Sequence, residues 1–436
     1  MLTIRPVAQP LAGVLPVQQV LPGEPYRLLH YVVRQEVEEG LLLFNVLTRA
    51  IALLSPEEAA RAMEDPSDVP GLVNGWFAVP QAHDDRRLAL EVRAVGLMLQ
   101  PPVRGYRSFT IFTTTDCNAR CFYCYEKGRS RIPMTEETAR EVASWMLRHR
   151  RGDNLRLRWF GGEPLFNRPV ITIITRSLRD AGVAFRSTMV SNGYLFNDDI
   201  VEEAVSLWNL QKVQITLDGT EEVYNRSKAF IHEDGSAYRR VIGNIRRLLR
   251  AGVRVNVRLN IGPHNAGDLM DLAGELGNTF RSEALFTVYS HPLFDLDPDR
   301  YRAVAESQKR LEDRLYELGF AAPGKIRKNL RLNSCMADDP ASVTILPDGH
   351  VGKCEHFSES GWFTSIRDDG VDETVLEAFR TFREELDDCA RCPLYPDCFR
   401  LVKCEDRGRC YEEDRDLRVE AIRRALLSFY IKKPSE

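Results

Sequence analysis

The chain has 436 residues, 44% hydrophobic and 28% charged, with a formal net charge of −4. That balance argues against a basic nucleic-acid-binding surface, and no apolar run reaches the length of a membrane span, so neither nucleic acid nor membrane is expected as a partner. Pro6, Pro10 and Pro16 interrupt the mildly apolar start, which spoils a signal-peptide core; a cytoplasmic protein of two to three domains is expected.

Residues 1–104 contain no cysteine and read as a small α+β unit. Strands are expected at 26–33, 41–46 and 50–54. Ser55, Pro56 and Glu58 form a capping box that opens a helix running to Met63. A second helix is expected near 84–99, and Pro101-Pro102 marks the boundary. Strands then alternate with helices: strands at 108–114, 155–160, 185–190, 213–217, 253–261 and 285–290, helices near 135–149, 170–181, 198–207, 238–251 and 266–276. Six such units argue for an α/β fold with a parallel sheet covered by helices. In such folds ligands bind at the carboxyl ends of the strands. A long amphipathic helix is expected at 302–318 and a final one at 417–430.

Ten cysteines fall in two groups, three at 117–124 and seven at 335–410. In a reducing compartment clustered cysteines serve metals more often than disulfides. The first group has the spacing Cys117-x3-Cys121-x2-Cys124 and directly follows the first expected barrel strand. Three thiolates on one short loop can ligate three irons of a cubane cluster and leave the fourth open to a small molecule.

This loop resembles the signature of radical S-adenosylmethionine (SAM) enzymes, in which the open iron chelates SAM. Reductive cleavage of SAM in that family yields a 5′-deoxyadenosyl radical. The resemblance implies a partial (β/α)6 TIM-like barrel over 105–320 and assigns Tyr123 to the adenine. Gly161-Gly162-Glu163-Pro164, after the second strand, resembles the element that holds the SAM amino group. Ser191-Asn192-Gly193 after the third strand and Asp218-Gly219 after the fourth resemble further SAM-binding elements. Lys228 and Arg258 are the candidates to pair with the SAM carboxylate, Lys228 as a point charge and not a bidentate fork.

The second group, Cys335, Cys354, Cys389, Cys392, Cys398, Cys404 and Cys410, resembles a SPASM domain, the auxiliary-cluster extension of radical SAM enzymes that modify peptides and proteins. It implies a domain over 321–415, followed by a C-terminal helix at 416–436, and three [4Fe-4S] clusters in all. Cys389, Cys392, Cys398 and Cys410 would hold one auxiliary cluster. Cys335, Cys354 and Cys404 would hold the other, one ligand short, with His356, a substrate thiolate or water in the remaining place. By the same resemblance Glu355, right after Cys354, takes the position of a catalytic base. The N-terminal unit resembles the PqqD-like element that binds leader peptides as an added strand. The expected function is a maturase installing a thioether, a carbon–carbon crosslink or an oxidised residue on a ribosomally made precursor peptide. An electron donor such as flavodoxin or ferredoxin would serve it. The alternatives are an anaerobic sulfatase maturase forming formylglycine and a non-catalytic iron–sulfur electron carrier.

Overall fold

The structure, a computed structural model, describes residues 5–6, 15, 18–99, 104–231, 235–293, 296–320, 326–327, 329–333, 335–356, 359–398, 402–404 and 410–431. Two compact units share the chain: residues 103–322 with 335–381, and residues 1–102 with 323–334 and 382–436.

The first unit is built on six parallel strands, Ser108–Thr114, Asn154–Gly161, Ala184–Ser191, Leu210–Leu217, Arg254–Ile261 and Phe286–Pro292, hydrogen-bonded in chain order. Alternation of apolar and polar residues decides which face meets the helices. Leu155, Leu157 and Trp159 of the second strand are buried in the core, whereas Arg156 and Arg158 turn to the opposite, inner face. The helices Glu136–His149, Arg168–Asp180, Asp198–Ser206, Ala237–Arg250 and Asp268–Phe280 cover the outer face. Thr135, Asn197 and Ser236 each cap a helix through a side-chain oxygen, which ends the preceding loop at a defined residue. The α/β barrel expected from the sequence is thus the architecture of this unit.

Residues 335–381 of the cysteine-rich segment belong to the barrel unit. Strand Ser342–Ile345 pairs parallel with the first barrel strand, and His350–Gly352 and Trp362–Ser365 extend the sheet antiparallel. Residues 321–415, expected as one domain, fall into both units for this reason. The turn at Pro347-Asp348-Gly349 closes the hairpin, with Gly349 at φ +94°, a left-handed conformation that suits glycine.

In the other unit, Val32–Val37, Gly40–Asn45 and Ala50–Leu54 form an antiparallel meander, and Arg5–Pro6 pairs along the outer edge of the last strand. The strand expected at 26–33 is two strands: Tyr26–Leu28 belongs to a separate pair with Ala78–Pro80. Buried Asp85 causes the break, since its carboxylate accepts from the His30 backbone at 2.9 Å and from Arg27 at 2.9 and 3.0 Å. The capping box at Ser55 forms as the sequence predicts. Leu330, Tyr395 and Leu426 complete this unit's core against Tyr31, Phe44 and Val92. Among the described residues no helix is long and apolar enough to cross a membrane.

Candidate active site

The loop carrying Cys117, Cys121 and Cys124 leaves the carboxyl end of the first barrel strand, and three further strand ends approach it. Gly161 stands at φ +126°, where an added Cβ would lie 2.1 Å from the Thr114 carbonyl oxygen; at Gly162 it would lie 2.3 Å from that of Asp116. The two glycines therefore let the second strand close onto the backbone that leads into Cys117. Backbone bonds from Gly162 to Thr114 (3.0 Å) and Glu163 to Asp116 (2.9 Å) fix that approach. The sequence reads the two glycines as allowing close approach of backbone to a ligand; the close approach that they allow here is to the cysteine loop.

Glu163 is fully buried and binds the next strand end. Its carboxylate accepts from the Ser191 hydroxyl at 2.9 and 3.1 Å, from the Asn192 backbone at 2.8 Å and from the Leu165 backbone at 3.2 Å. Burial pushes its pKa up to about 7, although these hydrogen bonds oppose the shift. Asn192 carries the contact onward, donating to Asn118 at 2.6 Å and approaching the Cys117 sulfur at 3.7 Å.

At the fourth strand end a sealed charge network forms. Lys228 Nζ lies 3.0 Å from Asp218 Oδ2 and donates to Tyr123 Oη at 2.8 Å and Thr216 Oγ1 at 2.7 Å. Tyr123 donates to Asp218 at 2.5 Å, and Asn260 donates to the other Asp218 oxygen at 3.0 Å. An ammonium has three protons, and these three partners take them all. In this arrangement Lys228 has none left for a ligand carboxylate and serves to hold Tyr123 and Asp218 in place. Arg258 sits on the inner face of the fifth strand, its guanidinium 3.1 Å from His291 Nδ1.

Burial pushes the Cys117 thiol up to about 12 and raises those of Cys121 and Cys124 as well, so binding iron would have to displace their protons. Cys117, Cys335 and Cys354 share a local geometry: each sulfur accepts an N–H from the residue two positions on, Ala119, Ala337 and His356, at 3.4, 3.4 and 3.5 Å. Such N–H···S bonds stabilise thiolate ligands and tune iron–sulfur clusters, so these residues fit the group. No three His, Cys, Asp or Glu side chains among the described residues converge as a single metal ion requires; a cubane holds its thiolates farther apart.

Cys335 precedes the strand Ser342–Ile345 and Cys354 follows His350–Gly352, so both lie at the hairpin's open end. Glu355 points toward Arg158 at 3.9 Å. The His356 ring lies 4.8 Å from that of Tyr125, and its carbonyl accepts from Arg129 at 3.0 Å. In the other unit Cys389, Cys392, Cys398 and Cys410 line one cavity of about 270 Å³ together with Leu90, Leu97 and Arg415. These are the four cysteines that the resemblance groups on one auxiliary cluster. Cys404 belongs to this second unit as well.

Residues 111–276 match the family model of the Radical SAM superfamily. The chain contains a radical SAM domain. An uncharacterised protein of Methanocaldococcus jannaschii is 28% identical over 121 residues, covering 27% of this chain and 41% of that protein. A probable GTP 3′,8-cyclase of the same organism is 25% identical over 179 residues, 40% of this chain and 57% of that protein. The chain thus spans about half the length of the curated relatives it matches. Among solved structures, native anSMEcpe with bound AdoMet and Cp18Cys peptide aligns at a TM-score of 0.54 with 14% identity, covering 75% of this chain and 98% of that one. That likeness is one of fold. A radical SAM domain implies an enzyme that uses a [4Fe-4S] cluster and SAM, and Cys117, Cys121 and Cys124 lie within the matched residues.

Proposed function

We propose that this radical SAM enzyme modifies a side chain of a ribosomally made precursor peptide. The observation that carries the reading is the convergence of Glu163, Ser191, Asn192 and Asp218, from three successive strand ends, on the loop of Cys117, Cys121 and Cys124. When bound, the cluster and SAM supply a 5′-deoxyadenosyl radical able to abstract a substrate hydrogen atom. The chain's own residues would orient and protect that chemistry. The Lys228–Asp218 pair fixes the ring of Tyr123 within that loop, and Arg258 presents a planar cation for a carboxylate. Glu355 lies on the inner side beside Cys354, where it would accept a proton from the substrate.

The seven later cysteines support two auxiliary clusters, with flavodoxin or ferredoxin as electron donor. The meander of the N-terminal residues offers a sheet edge for a leader strand. One edge is engaged where Arg423 donates to the Arg34 carbonyl at 3.3 Å, so the leader would add along Ala50–Leu54, beside or in place of Arg5–Pro6. Glu355 directly after Cys354 also favours a second reading, formylglycine formation on a sulfatase.

Anaerobic reconstitution is expected to give about twelve irons per chain, and dithionite with SAM to release 5′-deoxyadenosine. A mass change in a precursor peptide would support the maturase; formylglycine in a sulfatase peptide would support the second reading. Absence of SAM cleavage would reject both.

A further inference from the structure

The inner face of the barrel sheet is strongly cationic. Arg156 and Arg158 on the second strand, Arg186 on the third, Lys212 on the fourth, and Arg254 and Arg258 on the fifth all occupy inward positions of the alternation. The register sets like charges side by side: Arg156 is directly opposite Arg186, and Lys212 is directly opposite Arg254. Such cross-strand pairs destabilise a sheet. Arg158 is linked to the same row through Thr188, which is opposite Arg158 on one side and Lys212 on the other.

Elsewhere on this unit several arginines have an acidic partner one helical turn away. On the outer helices Arg140 pairs with Glu136, Arg226 with Glu222 and Arg310 with Glu306, each four residues apart. On the inner face Arg158 has Glu355 at 3.9 Å. For Arg156, Arg186, Lys212 and Arg254 no Asp or Glu lies within ion-pair distance among the described residues. Lys212 registers the crowding: its pKa is lowered by burial first and then by Arg158 and Arg254. The helices do not cover this face, and a fold gains nothing from concentrating repulsion there. Polar groups between the cations, Tyr289 to Gln214 at 2.9 Å and Thr287 to Asn256 at 2.6 Å, leave the surface hydrophilic.

We propose that this face binds the substrate through carboxylates: the modified peptide carries at least two Asp or Glu residues near the residue that reacts. The cations are spread over four strands, spaced about 4.8 Å across the sheet and about 6.6 Å along a strand. That matches side chains distributed along an extended peptide better than the compact charge of a triphosphate. This inference rests on the peptide-maturase reading and names its substrate class.

The test uses reconstituted holoenzyme with SAM under anaerobic conditions. Fluorescence anisotropy would compare a short labelled Glu/Gly/Ser peptide with its Gln/Gly/Ser counterpart. The acidic peptide is expected to bind at least about tenfold more tightly, and added salt to erase the difference. Lys212→Gln/Arg254→Gln should weaken its binding by about tenfold, whereas Lys212→Arg/Arg254→Lys should retain it. Arg176→Gln/Arg250→Gln, which removes the same charge from the outer helices, should leave peptide binding unchanged. Equal binding of the two peptides overturns the proposal, as does an inner-face double variant no weaker than the outer one. GTP binding without acidic-peptide binding would also overturn it. A separate assay for 5′-deoxyadenosine on the wild-type enzyme needs no peptide, so failure of the radical SAM reading is distinguishable from failure of this one.

Discussion

Lys228 and Asp218 form an ion pair with almost no solvent access, 3.0 Å apart, with side-chain exposures of 3% and 1%. Burial works against the ammonium, but Asp218 foremost, with Cys121 and Tyr224, together outweigh it and hold the Lys228 pKa above the usual lysine value. Removing one member leaves the other charged in a dry site. Lys228→Met is therefore expected to cost about 3–5 kcal/mol in unfolding free energy. Replacing both members with apolar residues should recover much of that. Urea denaturation of the apoprotein measures both; a single variant as stable as wild type would contradict the account.

Glu163 predicts a pH dependence. Its pKa is raised from 4.5 to about 7 in the folded chain, so between those values the folded protein holds a proton that the unfolded chain has lost. This group's contribution to stability is present below about pH 4.5 and declines as pH rises to about 7. Glu126, also raised to about 7 by burial, adds a decline of the same sign. Glu163→Gln should flatten the fall in apoprotein stability between pH 5 and 7.5 while lowering its level, because the amide meets donors at Ser191 and Asn192. An unchanged slope would count against a buried, protonated Glu163.

Gly161 makes a steric prediction. A methyl group there would sit 2.1 Å from the Thr114 carbonyl oxygen at a φ unsuited to an L-residue. Gly161→Ala should destabilise the apoprotein by more than about 2 kcal/mol and reduce iron bound at the Cys117 loop. Thermal melting and iron assay read the two effects.

The four cysteines around the 270 Å³ cavity should act as a group. Cys389→Ala/Cys392→Ala is expected to lower reconstituted iron by about four per chain while leaving release of 5′-deoxyadenosine detectable. Iron unchanged from wild type would remove the cavity as a cluster site.

The barrel strands could be read from the chain because apolar and polar residues alternate cleanly, as in Leu155, Leu157 and Trp159 against Arg156 and Arg158. The cysteine loop was legible by spacing and resemblance. What the sequence hid depends on partners far along the chain. The break after Leu28 is imposed by Asp85, and nothing in the β-forming run itself announces it. Helix Glu221–Lys228 buries only Tyr224, Ser227 and Lys228, too little apolar periodicity to notice. The role of Lys228 became clear only once its three acceptors were placed together. The basic inner face was present in the sequence as single charged residues on separate strands; only strand register shows that they are neighbours.

The unit that joins residues 1–102 to residues 382–436 also constrains how the protein is made. Tyr31, Phe44 and Val92 leave the ribosome roughly 300–400 residues before Tyr395 and Leu426, with which they form one core. At about 5–20 residues per second, that is a wait of roughly 15–80 s. Throughout it the barrel has time to fold while the first hundred residues hold an unfinished hydrophobic surface. This protein's expression should therefore depend on chaperones, and on translation rate, more than its ordinary composition suggests.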